Sequence, residues 1–245
     1  MTLGRRSPLL TLHNIHQQHA IGNEMVETLA DVCLGICRGE FLALTGSAGA
    51  GKTSLLNILG GLRSPSAGHY WLMGERLHQQ SEAELTKTRR AHMGWVFKQP
   101  HLIARYTVLK NVMQPASFWL WRGRKAKARA RYWLNQTGLA HTAMLLPAQL
   151  SLVQQKQLAI ARAMAREPTL LLADEPAWGL SSKDTHLIMQ LLEKINQQGQ
   201  TIVVATRSQA IAMQCRRQVK LLNKTVSKEW VHRPVEHASD LRAYA

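Results

Sequence analysis

The most specific chemistry in this chain lies in Gly46-Ser-Ala-Gly-Ala-Gly51-Lys52-Thr53. The run fits G-x-x-x-x-G-K-[ST]. It stands between an apolar stretch that reads as a strand, Phe41-Leu-Ala-Leu44, and one that reads as a helix, Ser54-Leu-Leu-Asn-Ile-Leu59. A glycine-rich loop in that position lets backbone N–H groups converge on phosphate oxygens. The helix that follows adds the positive end of its dipole. Lys52 can reach β- and γ-phosphates, and the Thr53 hydroxyl can ligand Mg²⁺. The expected nucleotide-binding residues here are Gly46, Ser47, Ala48, Gly49, Ala50, Gly51, Lys52, Thr53 and Ser54. A second group, Asp174-Glu175, ends the apolar run Leu170-Leu-Leu-Ala173. Two carboxylates at the end of a buried strand are unfavourable unless they serve a cation or a reaction. Asp174 is expected to hold Mg²⁺ through water, and Glu175 to polarise the water that attacks a γ-phosphate.

These groups need a scaffold, and the hydrophobic pattern supplies one. Residues 9–44 read as short strands and turns. Residues 54–62 read as a helix ended by its glycines, and 65–77 as a short strand between two turns. Residues 82–92 are polar and helical, and Gly94-Trp-Val-Phe97 is a short buried strand. Residues 107–166 read as mostly helical, with breaks at Pro115, Gly138 and Pro147. The stretch 169–176 has the unbroken apolar character of a strand in a parallel sheet. An amphipathic helix at 185–199 and a buried strand at 201–206 follow. Alternating strands and helices around a helical insert predict an α/β fold.

Composition narrows the partners. The chain has 245 residues, is 45% hydrophobic and carries a net charge of +16. That excess attracts polyanions such as nucleotides and acidic headgroups. Its densest cluster, Arg122 to Arg131, reads first as a solvated helix face. No run reaches the roughly 20 apolar residues that span a bilayer, so a membrane role must come through a partner. The Arg5-Arg6 pair has no apolar stretch of signal length behind it and reads as a plain N-terminus. The three cysteines, Cys33, Cys37 and Cys215, form no C-x-x-C pair, which fits a reducing compartment.

With these residues in view, the chain resembles the ATP-binding subunit of an ABC transporter across roughly residues 9–225. Within that family GSAGAGKTSLLNILGGL and LLLADEPAWGL look most like the subfamily that powers lipoprotein-releasing and macrolide-export type systems and includes the cell-division ATPase. The resemblance implies a RecA-like P-loop core with an antiparallel β lobe, at residues 1–97 and 167–225. It also implies a helical lobe at 98–166 and a C-terminal tail at 226–245. It implies ATP and Mg²⁺ as cofactors, and a head-to-tail pair of ATP-binding subunits, of the same or different chains. An integral membrane permease and a place on the cytoplasmic face of the cell membrane are implied as well. The region holding Trp119, Trp121 and the basic helix is the one the family sets against the permease.

The same resemblance exposes departures. Where the family signature is LSGGQ, this chain has Leu150-Ser151-Leu152-Val153-Gln154. Ser151 and Gln154 still form an S-x-x-Q capping box, so the helix start should survive. Leu152 and Val153 place branched side chains where bare glycine amides meet a partner's γ-phosphate. Lys98 stands where the family has Gln, Arg207 where it has His, and Ser181 where it has Asp. His19 stands where an aromatic stacks on adenine. The expected function is therefore an ATPase subunit that couples ATP to export or extraction of a lipoprotein, peptide or similar amphipathic substrate, with hydrolysis weakened by these positions. A nucleotide-binding regulatory module with little hydrolysis is the alternative. A nucleic-acid-associated role is disfavoured, because the chain has one P-loop and no RNA-binding type motif.

Overall fold

The computed structural model describes residues 8–22, 24–114 and 124–232. In chain order its elements are β1 (Leu10–Ile21), β2 (Glu24–Ile36), β3 (Phe41–Thr45), α1 (Lys52–Leu59), β4 (Ala67–Leu72), β5 (Glu75–Arg76), α2 (Glu82–His92), β6 (Met93–Val96), α3 (Val108–Met113), α4 (Arg124–Gln136), α5 (Leu152–Met164), β7 (Leu170–Asp174), α6 (Ser182–Gln197), β8 (Thr201–Ala205), α7 (Gln209–Ala212), β9 (Arg217–Leu222) and β10 (Thr225–Val231). They fall into two compact units. One comprises the residues up to Arg90 together with those from Asn196 onward, and the other comprises Ala91–Ile195.

In the first unit, β1 pairs antiparallel with β2 on one side and β4 on the other, giving the order β2-β1-β4-β5. The expected short strands are in fact 12 and 13 residues long. Register shifts between Leu12 and Gln18 keep β1 paired where its apolar alternation breaks, as bulges do. The same unit carries β3, which runs parallel to β8 and β9. Both β3 and β8 are buried along their whole length, as strands covered on two faces are. β10 pairs antiparallel with β9. The family resemblance starts a C-terminal tail at 226, but residues 226–231 continue as strand β10. Most of these residues are exposed, so no alternation of buried positions marks the strand.

A buried ion group joins these layers. Arg217 Nη1 donates to Glu40 at 3.0 Å and to the Gly35 carbonyl at 2.7 Å, while Nη2 reaches Glu229 at 2.9 Å. Burial is the largest influence on the Glu40 carboxyl and pushes it up, against the pull of Arg217. Charges this well partnered are tolerated inside, whereas removing one partner would strand the others.

In the second unit, β6 and β7 pair in parallel, with Val96 opposite Ala173. α3, α4 and α5 pack on one another, and α5 packs on β6. α4 buries Ala126, Ala130, Trp133 and Leu134, which share one helical face, and turns Arg124, Lys125, Lys127 and Arg131 outward. Arg129 pairs with Glu167 at 2.7 Å. Trp119, Trp121 and Arg122, like Arg5 and Arg6, lie outside the described residues. No helix among the described residues is long and apolar enough to cross a membrane.

Candidate functional site

The phosphate loop grows from the buried end of β3 and turns into α1. Its shape depends on glycine at two points. At Gly46, with φ of 150°, a Cβ would stand 2.5 Å from the Leu221 carbonyl oxygen. At Gly51, with φ of 96°, it would stand 2.5 Å from the Thr28 carbonyl oxygen and 2.7 Å from Leu29 Cδ2. The loop thus meets β9 at Gly46 and β2 at Gly51, with no room for a Cβ at either position. Gly51 also caps α1, without a side-chain hydrogen bond at that cap. The first amides of α1 are the kind of donors that hold an anion. Lys52 is buried, and its ammonium donates to the carbonyls of Gly46 and Ser47 at 2.7 and 2.8 Å. The lysine therefore braces the loop from within as well as supplying charge. Ser47, Ala48, Gly49 and Thr53 are exposed, while Gly46 and Ser54 are half-buried and Ala50 is buried.

Two further expected residues belong to this unit. Thr206 N–H donates to the Leu44 carbonyl at 3.0 Å, so the chain leaving β8 runs beside the start of the phosphate loop. Arg207 follows directly and is exposed. His19 lies near the end of β1, half-buried. Its Nδ1 meets Arg63 Nη1 at 2.8 Å. A guanidinium only donates, so that ring nitrogen is the acceptor.

In the second unit, Asp174 closes β7 and Glu175 follows with φ of 44°. A non-glycine residue in the left-handed region is strained, and such strain collects at functional positions. The turn after it is closed by Trp178 N–H donating to the Glu175 carbonyl at 3.0 Å. Ser181 then caps α6. Its hydroxyl accepts from Asp184 N–H at 3.1 Å and donates to the Asp184 carboxylate at 2.9 Å. Serine and aspartate cap a helix about equally well. The departure from the family's Asp thus keeps the local helix start and removes one negative charge.

The capping box expected at the signature is present. Gln154 N–H donates to Ser151 Oγ at 3.3 Å, and Ser151 N–H donates to Gln154 Oε1 at 2.9 Å. Leu152 and Val153 occupy the first turn of α5. Leu152 is 44% exposed, and its Cδ2 lies 3.4 Å from where a Cβ on Gly179 would stand. Lys98 is exposed, and its ammonium lies 3.6 Å from the ring centroid of Trp178.

Sequence reasoning missed how the segment carrying Lys98 is held. Lys156, on the core side of α5 and only 1% exposed, donates from Nζ to the Lys98 carbonyl. Arg162, two turns on, donates to the carbonyls of His101 and Pro100 at 2.7 and 2.6 Å. Asn111, fully buried, accepts from Ile103 N–H at 2.8 Å and donates to the Tyr106 carbonyl at 3.0 Å. Burial, and secondarily the Lys98 charge, pull the Lys156 ammonium below its ordinary value. The available signal was a lysine and an arginine within the apolar face of Leu158-Ala-Ile-Ala161. The segment they hold lines a cavity of about 390 Å³ with Gln99, Leu102, Pro147 and Gln155.

Comparison with known proteins gives a consistent result. A family model described as "ABC transporter" matches residues 29–178. The macrolide export ATP-binding/permease protein MacB of Bartonella quintana is 36% identical over 213 residues, which cover 87% of this chain and 32% of that protein. The protein of the same name from Chlorobaculum tepidum is 38% identical over 204 residues, covering 83% of this chain and 31% of that protein. The chain thus spans about a third of the length of these relatives. Among solved structures, the dimeric ATP-binding cassette MJ0796 bound to ADP and Pi is 37% identical, with a TM-score of 0.83 over 92% of this chain and 99% of that one. The cbiO1 protein of Clostridium perfringens, part of the cbiONQ transporter complex, is 25% identical, with a TM-score of 0.84 over 95% of this chain and 92% of that one. On these matches the chain belongs to the ABC transporter family, as a P-loop ATPase cassette with that family's α/β fold.

Proposed function

We propose that this chain binds Mg-ATP on the loop Gly46–Ser54 and hydrolyses it to drive a membrane permease. The observation that carries the reading is the loop itself. Packing at Gly46 and Gly51, and the Lys52 hydrogen bonds, fix the backbone of a glycine loop that leads straight into the N-terminus of α1. A preorganised donor array of this kind gains affinity because little ordering remains to be done on binding. Thr53 and Asp174 offer the oxygen donors that Mg²⁺ takes, and the ion, when bound, neutralises phosphate charge. Glu175 accepts the proton of the attacking water. Arg207 adds fixed positive charge beside the loop, His19 offers a flat ring to the base, and Ser151 marks the face turned to the partner's nucleotide.

The rest of the reading follows the family. The chain works in a pair of cassettes, as the dimeric MJ0796 cassette does, either with a second copy or with a different ATP-binding chain. It lies on the cytoplasmic face of the membrane and holds a permease through the groove lined by Gln99, Leu102 and Pro147. The transported class is amphipathic: a lipoprotein, a peptide or a macrolide-like molecule. Nucleic acid is not a partner. The test is phosphate release from Mg-ATP by the purified chain and its Glu175→Gln variant. Losing a general base slows such a step by about a hundredfold or more, with ATP affinity retained. An equal rate in the two proteins would remove Glu175 from the mechanism, and absence of ATP binding by the wild type would overturn the function.

A further inference from the structure

We propose that Lys98 and Trp178 form an intramolecular clasp that positions Glu175, so that Lys98 serves the reaction through the protein and not by contact with the nucleotide. The inference rests on the ATPase reading above and names how its carboxylate is held. Three contacts link into one chain. The Lys156 ammonium holds the Lys98 carbonyl, which fixes where the Lys98 side chain starts. The Lys98 ammonium then lies over the indole of Trp178, 3.6 Å from its centroid. The backbone N–H of Trp178 in turn donates to the Glu175 carbonyl at 3.0 Å, closing the turn that leaves β7.

The turn needs such support. Glu175 has φ of 44°, a conformation that persists only where the surroundings over-determine it. Its closing residue, Trp178, is 52% exposed, so apolar burial holds the ring only in part. An ammonium over an indole face is the most favourable cation–π pairing and stays effective at a partly exposed site. Leu152 Cδ2, beside Gly179, bounds the same turn on its other side. The Lys98 ammonium is thereby committed to the ring, which separates its role from that of a group aimed at phosphate.

The experiment is a double-mutant cycle on the full chain: wild type, Lys98→Met, Trp178→Leu and the double variant, with Lys98→Arg as the conservative change. kcat and KM for Mg-ATP are measured for each. A pairing of this strength at an exposed site predicts a fall in kcat of about two- to fivefold for each single variant. KM should move less than about twofold, the double variant should be no worse than either single, and Lys98→Arg should recover most of the rate. A rise in KM for Lys98→Met with Trp178→Leu at wild-type values would place Lys98 on the nucleotide and overturn the clasp. Additive losses would overturn it as well. Glu175→Gln is run alongside. If that variant matches the wild type, Glu175 is not the general base, and if neither protein hydrolyses ATP, the ATPase reading has failed. The clasp is then judged by the same cycle on unfolding free energy and by the indole emission that Trp178→Phe removes. Coupling in both supports the clasp, and additivity with emission unchanged by Lys98→Met overturns it.

Discussion

Replacing Gly51 by alanine tests how the phosphate loop is built, and Gly49→Ala is its internal control. Both glycines have positive φ, 96° and 75°. Both variants therefore bear the left-handed penalty for an L-residue, about 1–2 kcal/mol. Only one meets a wall. A Cβ at position 49 has nothing within 4 Å, whereas at 51 it would stand 2.5 Å from the Thr28 carbonyl oxygen and 2.7 Å from Leu29 Cδ2. Neither can yield easily. The β2 backbone is locked to β1, where Gln17 faces Leu29, and Leu29 is fully buried. Forcing one extra methyl into such packing costs about 1–3 kcal/mol more. Gly51→Ala should thus lose about 2–5 kcal/mol in urea unfolding without nucleotide, and Gly49→Ala about 1–2. The strain in Gly51→Ala can be relieved only by moving the loop away from β2, which shifts the amides that receive phosphate. Its Mg-ATP affinity should fall by about tenfold or more, the equivalent of about 1.4 kcal/mol. Equal losses of stability in the two variants would refute the claim that β2 shapes the loop.

Two other outcomes follow from the second unit. In a Glu175→Gln background, Leu152→Gly/Val153→Gly should increase the ATP-dependent dimer seen by size-exclusion chromatography, at a loss of about 1 kcal/mol per position in helix propensity. An unchanged monomer would mean that these side chains do not block the partner's approach. Lys156 gives a pH dependence. Its folded-state value lies below the ordinary 10.5, so between the two values the unfolded chain binds more protons. The stability of the wild type relative to Lys156→Met should therefore rise with pH as 10.5 is approached from below. Urea unfolding at pH 7, 8, 9 and 10 checks the sign, and a falling difference would contradict it.

Signals confined to a few neighbouring residues were legible in the sequence. The strand–loop–helix around Lys52, the strand ending in Asp174 and the Ser151–Gln154 capping box each depend on contacts within one or two turns of chain. What stayed hidden is non-local. Gly51 needs to be glycine because of Thr28 and Leu29, and Lys98 meets Trp178 some 80 residues away. Ser181 reads as a lost Asp until its bond to Asp184 shows a helix cap. β10 escaped because most of its residues are exposed, so no period-two pattern marks it. The cation Lys156 was passed over because its neighbours are those of a core helix, where a charge is recognisable only by its distant carbonyl partner.

The loop from Gly46 to Ser54 is proposed as a nucleotide site whose cation is Lys52. Calorimetric titration of Mg-ATP into the wild type and Lys52→Ala tests it most directly, with thermal melts to confirm that both are folded. Charge-assisted contacts to phosphate are worth about 1.5–3 kcal/mol, so affinity should fall by about tenfold or more. Equal affinity in the two folded proteins would contradict the account.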